Sequence, residues 1–99
     1  MYNVAADCRL RHEHRRVGKR IVSFAVQLEV RHPRQGMWLG VVRYDTAHGF
    51  AHRDLLRPDG SAIKTPLGLG DWNVALTVAT DDLKANWRWY REQFLKEAT

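Results

Sequence analysis

The sequence predicts an α+β fold in which a single antiparallel sheet of four to five strands packs against one long C-terminal helix. Apolar and polar residues alternate from Val22 to Val30, which is typical of a strand with one buried face. From Trp72 to Phe94 apolar residues recur every three or four positions, which is typical of an amphipathic helix. Packing this helix across the apolar face of the sheet is the simplest arrangement that buries both patterns.

Turn-forming residues divide the first two thirds of the chain into strands. We expect Val22 and Phe24 to point to the same buried face, because side chains alternate along a strand. Arg57-Pro58-Asp59-Gly60 is a strong turn signal, since Pro presets one turn torsion and Gly accepts the next. The predicted strands cover residues 8–14, 22–30, 37–44 and 50–56, with a short fifth over 61–65.

The C-terminal segment has the signals of a helix at both ends. Asp71 is the predicted N-cap, because its carboxylate can accept hydrogen bonds from the first free backbone N–H groups. The predicted buried stripe consists of Trp72, Leu76, Ala79, Leu83, Trp87, Tyr90 and Phe94. A length of 99 residues fits one domain. We therefore expect a single domain over 1–99, with the sheet over 8–65 and the helix over 72–97.

The composition excludes several classes of protein. The single Cys8 rules out an internal disulfide and a multi-cysteine zinc knuckle, and it suits a reducing compartment. No apolar run approaches the ~18–20 residues of a membrane span, and the first residues do not begin a secretory signal. We therefore expect a small soluble cytoplasmic protein without a membrane partner.

Positive charge is concentrated in one segment, from Arg9 to Arg34. The chain has a net charge of +5, and this segment holds eight basic residues against two acidic ones. Such a segment suits a nucleic acid, an acidic protein partner, or an edge strand that Arg protects from aggregation. Its predicted substrate-binding residues are Arg15, Arg16, Lys19 and Arg20.

The densest set of reactive side chains lies in residues 43–54, across a predicted strand, turn and strand. Period two places His52 and Asp54 on one face. RNA cleavage without a metal needs a base, an acid and a cation for the phosphate, which His and Arg can supply. In the structural alternative, Asp45 caps the turn and the histidines are solvated. We predict catalytic roles for Asp45, His48, His52 and Asp54, and substrate binding by Arg43, Tyr44 and Arg53.

The same segment resembles the YDN…G…H-x-H signature of the TumE-like toxins of bacterial toxin–antitoxin operons. Thr46 stands where that family usually has Asn, and Asp54 stands where it often has a second His. The order of basic strands, motif and a C-terminal helix with an Asp-Leu element, here Asp82-Leu83, is also similar. The resemblance implies a growth-inhibiting toxin paired with a helix-turn-helix antitoxin, with RNA as a candidate target. The matching residues are Tyr44, Asp45, Gly49 and His52.

Two further features carry a functional and a structural interpretation. His12 and His14 share a face of a predicted strand, so either His48 or His52 would complete a three-histidine metal site, whereas exposed histidines among arginines are common. We expect no metal and no cofactor. Trp89 lies nearly opposite the helix stripe, which predicts an interface with a protein, a second copy or stacked bases. The alternatives are that the sheet covers Trp89 or that its exposure is incidental.

Three functional hypotheses follow. The first is a toxin-like ribonuclease that cleaves RNA without a metal, with His52 transferring protons, Asp45 or Asp54 orienting it, and RNA favoured over DNA. The second is a non-catalytic basic module, encoded by a phage or mobile element, that binds a nucleic acid or protein and blocks it. The third is a structural subunit that forms a homodimer or larger oligomer through Trp89.

Overall fold

A computed structural model describes residues 1–98 and has one antiparallel sheet and one long helix. The sheet has six strands in the order β1-β2-β3-β4-β5-β6, so each strand pairs with its neighbours in sequence. The predicted α+β class is confirmed, but the predicted number of strands is wrong because the short N-terminal strand was missed. The elements are β1 (Tyr2–Ala5), β2 (Cys8–Val17), β3 (Arg20–Arg31), β4 (Trp38–Asp45), β5 (His52–Leu56), β6 (Ala62–Pro66) and α1 (Trp72–Ala98).

The helix packs on one face of the sheet, which we call the helix face. Phe24, Val26 and Leu28 of β3 are buried on this face, and Leu83 of α1 is fully buried in the same core cluster. Trp87, predicted to be buried with them, is only partly buried at the margin of the core. The opposite face, which we call the open face, is covered by neither a helix nor a second sheet within residues 1–98.

Two β-bulges change which side chains reach the core. On β3, Ser23 and Ile21 pair with consecutive residues of β2, so Val22 is an extra residue. The prediction that Val22 faces the core with Phe24 is therefore wrong: Val22 is 38% exposed, and Ile21 is 7% exposed. A second bulge, on β4, allows the consecutive residues Val41 and Val42 both to be buried.

The helix is capped as predicted and is tied to the sheet by polar contacts. Asp71 Oδ1 accepts hydrogen bonds from the backbone N–H groups of Asn73, at 2.9 Å, and Val74, at 3.4 Å. Asn73 in turn bonds the backbone of β3 and of the preceding turn, and Arg91 pairs with Asp7. Helix α1 lacks the long apolar run that a membrane-spanning helix needs, and it is the one helix longer than a single turn among residues 1–98.

Candidate functional site

Three side chains meet on the open face of β4 and β5, and we call them the sheet-face cluster: Asp45, His52 and Asp54. Asp45 lies directly opposite His52 in the strand pairing, and Asp54 follows His52 by two residues. The Nε2 atom of His52 is 2.9 Å from Asp45 Oδ1 and 3.3 Å from Asp54 Oδ2. The predicted common face of His52 and Asp54 is confirmed, and the antiparallel register adds Asp45 to it.

Two cations hold the outer oxygens of these carboxylates. Arg43 Nε donates to Asp45 Oδ2 at 2.6 Å, and Lys64 Nζ lies 3.2 Å from Asp54 Oδ1. The backbone N–H of Ala47 also donates to Asp45 Oδ1, at 3.1 Å, so Asp45 caps the turn as the structural alternative expects. The inner oxygens of both carboxylates therefore face His52, while their outer oxygens face positive charge.

The imidazole of His52 is at the bottom of the cluster, with 1% of its side chain exposed. Its Nδ1 atom is 3.2 Å from the carbonyl oxygen of Phe50, and the Phe50 ring packs against it. Both ring nitrogens thus face acceptors, an arrangement that is satisfied when each nitrogen carries a proton or when a cation replaces the proton on Nε2. The proton-transfer role predicted for His52 stays a prediction.

His48 lies next to the cluster but is not part of its hydrogen-bond network. It occupies the 3₁₀ turn over Ala47–Gly49 with a φ of 70°, in the left-handed region. Its exposed ring has its centre 6.5 Å from that of His52. His48 therefore borders the site, with its ring open to solvent.

Tyr44 and Arg53, both predicted to bind substrate, lie on the helix face and away from the cluster. Tyr44 pairs with Arg53 across the strands, and its hydroxyl donates to Asp82 Oδ2 of α1 at 2.8 Å. Tyr90 donates to the same oxygen at 2.6 Å and accepts from Arg53 Nη1 at 3.3 Å. Burial, followed by the hydrogen bond to Asp82, raises the pKa of Tyr44. These residues fasten the helix to the sheet.

A second candidate surface is the tip of the β2–β3 hairpin, which we call the hairpin tip and which comprises residues 15–20. Four of its six residues are basic and none is acidic. All four basic side chains are exposed, and within residues 1–98 none of them forms an ion pair. They are the residues predicted to bind substrate in the basic segment: Arg15, Arg16, Lys19 and Arg20.

The hairpin tip is held in place by the start of the helix. The backbone N–H of Ile21 donates to Asn73 Oδ1 at 2.9 Å, and Asn73 Nδ2 donates to the carbonyl oxygen of Lys19 at 2.9 Å. Gly18 provides the turn with a φ of +59°. The basic side chains are therefore carried on an anchored backbone, which lowers the conformational entropy lost when a ligand binds.

The histidine pair of β2 does not join His52. His12 and His14 are exposed, with Nε2 of His12 2.9 Å from Nδ1 of His14. The strand register places both on the helix face, because His12 pairs with Val26, whereas His52 is on the open face. Among residues 1–98, the one group of side chains with the spacing of metal ligands is the sheet-face cluster.

Trp89 is 56% exposed on the outer side of α1, where its ring contacts Tyr90. The alternative that the sheet wraps far enough to cover Trp89 is therefore wrong. The predicted interface role of Trp89 stays a prediction.

Sequence reasoning missed Lys64, and it named Asp82 only within the family resemblance, without a contact or a role. Counting outward from the four-residue turn at residues 57–60 places Ile63 opposite Asp54. The connection in the structure has five residues, 57–61, and this shift of one position brings Lys64 there instead. The contact of Asp82 with Tyr44 joins residues 38 positions apart, and no local pattern predicts it.

The model of one protein family, described as a domain of unknown function (DUF7718), matches residues 1–99. No curated protein and no solved structure matches the chain.

Proposed function

The chain belongs to the DUF7718 family, a domain of unknown function, and we propose that it binds RNA through the hairpin tip. The observation that carries this proposal is the set of four exposed cations without an acidic partner among residues 1–98. On the open face, by contrast, Arg9, Arg43 and Lys64 each pair with a carboxylate. Uncompensated cations that repel one another in the free protein are available to neutralise phosphates and release their counterions.

The resemblance to the TumE-like toxins favours RNA over DNA as the ligand. The shape of the tip favours contacts with the phosphate backbone of the RNA. The tip is a narrow two-stranded ribbon that presents Arg15 and Arg16 from one strand and Lys19 and Arg20 from the turn and the other strand. Contacts of this kind with phosphates supply affinity without reading the sequence. We therefore expect binding with little base preference.

The test is the salt dependence of binding to a fluorescently labelled single-stranded RNA, followed by anisotropy. The tip variant replaces Arg15, Arg16, Lys19 and Arg20 with Gln. If all four contact phosphates, the slope of log K against log salt becomes shallower by about 3, because each contact to a single strand contributes about 0.7. The control variant makes the same change in charge at four exposed cations outside the tip that form no ion pair within residues 1–98: Arg34, Lys84, Arg88 and Lys96.

The control separates local contact from the effect of net charge. We expect the control variant to retain a salt slope within about one contact of the wild type, or roughly 0.7. Equal losses in both variants would refute a binding site at the tip. Absence of RNA binding at low salt would favour an acidic protein as the partner of this surface.

A second candidate function is RNA cleavage by a toxin that an antitoxin neutralises, and the sheet-face cluster favours it. Arg43 is 37% exposed at the rim of the cluster, where it can hold a phosphate, and His52 and two carboxylates lie behind it. The test is inducible expression in bacteria, with growth and RNA integrity followed. If His52 transfers protons, His52→Ala lowers cleavage by about 10²–10⁴-fold, and His48→Ala has a milder effect. A folded double variant with full activity would refute this role.

A further inference from the structure

We propose that Asp45, His52 and Asp54 bind a divalent transition-metal cation. One ligand atom from each residue lies within 4.8 Å of the others. Imidazole nitrogen and carboxylate oxygen are common ligands of Zn²⁺ and related ions. This inference goes beyond RNA binding, because it concerns a different face of the molecule and different residues.

Two of the three separations within the cluster match those between ligands of one ion. Ligand atoms about 2.1 Å from a cation lie about 3.0 Å apart in octahedral geometry and about 3.4 Å apart in tetrahedral geometry. His52 Nε2 is 2.9 Å from Asp45 Oδ1 and 3.3 Å from Asp54 Oδ2. The ligand atoms of the two aspartates lie within 4.8 Å of each other, so the two strands bring all three ligands within reach of one small cation.

The groups around the ligands orient them as in known metal sites. His52 Nδ1 lies 3.2 Å from the carbonyl oxygen of Phe50, which suits a ring that donates through Nδ1 and leaves the lone pair of Nε2 for a metal. Arg43 and Lys64 bind the outer oxygens of the two aspartates, so that Asp45 Oδ1 and Asp54 Oδ2 point inward. Without a metal, one proton on Nε2 would lie between the two inward oxygens, of which Asp45 Oδ1 also accepts from the backbone N–H of Ala47.

The ligand atoms and their burial indicate which ions fit and how they enter. The imidazole nitrogen of His52 decides the choice of ion, because Zn²⁺ and related ions accept imidazole whereas Mg²⁺ and Ca²⁺ prefer oxygen ligands. The side chain of His52 is 1% exposed, whereas that of Asp54 is 17% exposed. The ion can therefore reach the site from solvent past Asp54. Three protein ligands leave at least one coordination position for water.

The test is calorimetric titration of the EDTA-treated and dialysed full chain with ZnCl₂, in the absence of RNA. We expect one ion per chain and weaker binding of Mg²⁺. Asp54→Asn changes a ligand, so it should weaken Zn²⁺ binding by about 100-fold or more, because loss of a group that only orients a ligand already costs up to about that much. The matched control is Asp81→Asn, which makes the same change at an exposed carboxylate of α1 outside the cluster. The tip variant with four Gln substitutions should bind Zn²⁺ as the wild type does. RNA binding by the tip and metal binding by the sheet-face cluster can therefore be refuted independently of each other.

A second measurement uses only the wild type, so its outcome does not depend on whether the variants fold. It is a nitrogen NMR spectrum of the histidine rings. One equivalent of Zn²⁺ should shift Nε2 of His52. The proposal is overturned if the wild type binds no ion, or if Asp54→Asn and Asp45→Asn both keep wild-type affinity. It is also overturned if Zn²⁺ shifts only His12 and His14, the exposed pair on β2. If Zn²⁺ is bound to Nε2 of His52, this nitrogen is not free to transfer protons as the second candidate function requires.

Discussion

Replacing Asp82 with Ala tests how the helix is fastened to the sheet. Asp82 Oδ2 accepts from the hydroxyl groups of Tyr44, at 2.8 Å, and Tyr90, at 2.6 Å. Both tyrosines are 4% exposed, so truncation of Asp82 would leave two buried donors without this acceptor. A hydrogen bond to a charged group contributes about 1.5–3 kcal/mol, and two such bonds set an expected loss of at least about 3 kcal/mol.

The measurement is urea-induced unfolding at neutral pH, followed by circular dichroism. Asp81→Ala is the control, because Asp81 is the adjacent exposed carboxylate on the same helix. Both substitutions remove one charge and gain the same helix propensity, which cancels in the comparison. We expect Asp81→Ala to change the free energy of unfolding by no more than about 0.5 kcal/mol.

A double-mutant cycle of Tyr44→Phe and Tyr90→Phe then tests whether the two hydroxyl groups share the carboxylate. In either single variant one tyrosine hydroxyl still donates to Asp82 Oδ2. In the double variant both of these donors are lost. We expect a coupling energy of about 0.5 kcal/mol or more. Equal stabilities of Asp82→Ala and Asp81→Ala would refute the conclusion that these hydrogen bonds fasten the helix.

Three further predictions follow from the core and the buried titratable groups. Leu83→Ala, at a fully buried position, should cost about 2–5 kcal/mol and lower Tm, whereas Val78→Ala, at a position 42% exposed, should change Tm little; equal Tm values would refute the helix-on-sheet core. Burial raises the pKa of Cys8 from 9.0 to about 11, so alkylation by iodoacetamide at mildly alkaline pH should be roughly 100-fold slower in the folded chain than in urea. Raised pKa values of Cys8 and Tyr44 mean that the folded chain holds these protons more tightly than the unfolded chain, so stability should fall as pH rises from 9 towards 11; urea midpoints that do not fall over this range would contradict it.

Local patterns predicted the parts of the candidate site that lie within one or two strands. The period of two along β5 is sufficient to place His52 and Asp54 on one face, because alternation depends only on extended backbone geometry. The exposure of the tip cations was predicted from their charge, since Arg and Lys side chains are almost never fully buried without a partner. The cap at Asp71 follows from the free N–H groups that begin any helix.

The sequence by itself determined the class of fold, the helix and most strands, because hydrophobic periodicity and turn residues act over a few positions. Only the tertiary structure decided which face each reactive side chain takes. The bulge at Val22 shifts the alternation of β3. The pairing of β4 with β5 places Arg43 beside the sheet-face cluster, whereas Tyr44 contacts the helix. Pairing register and bulges depend on contacts between distant residues, which also bring Lys64 to Asp54.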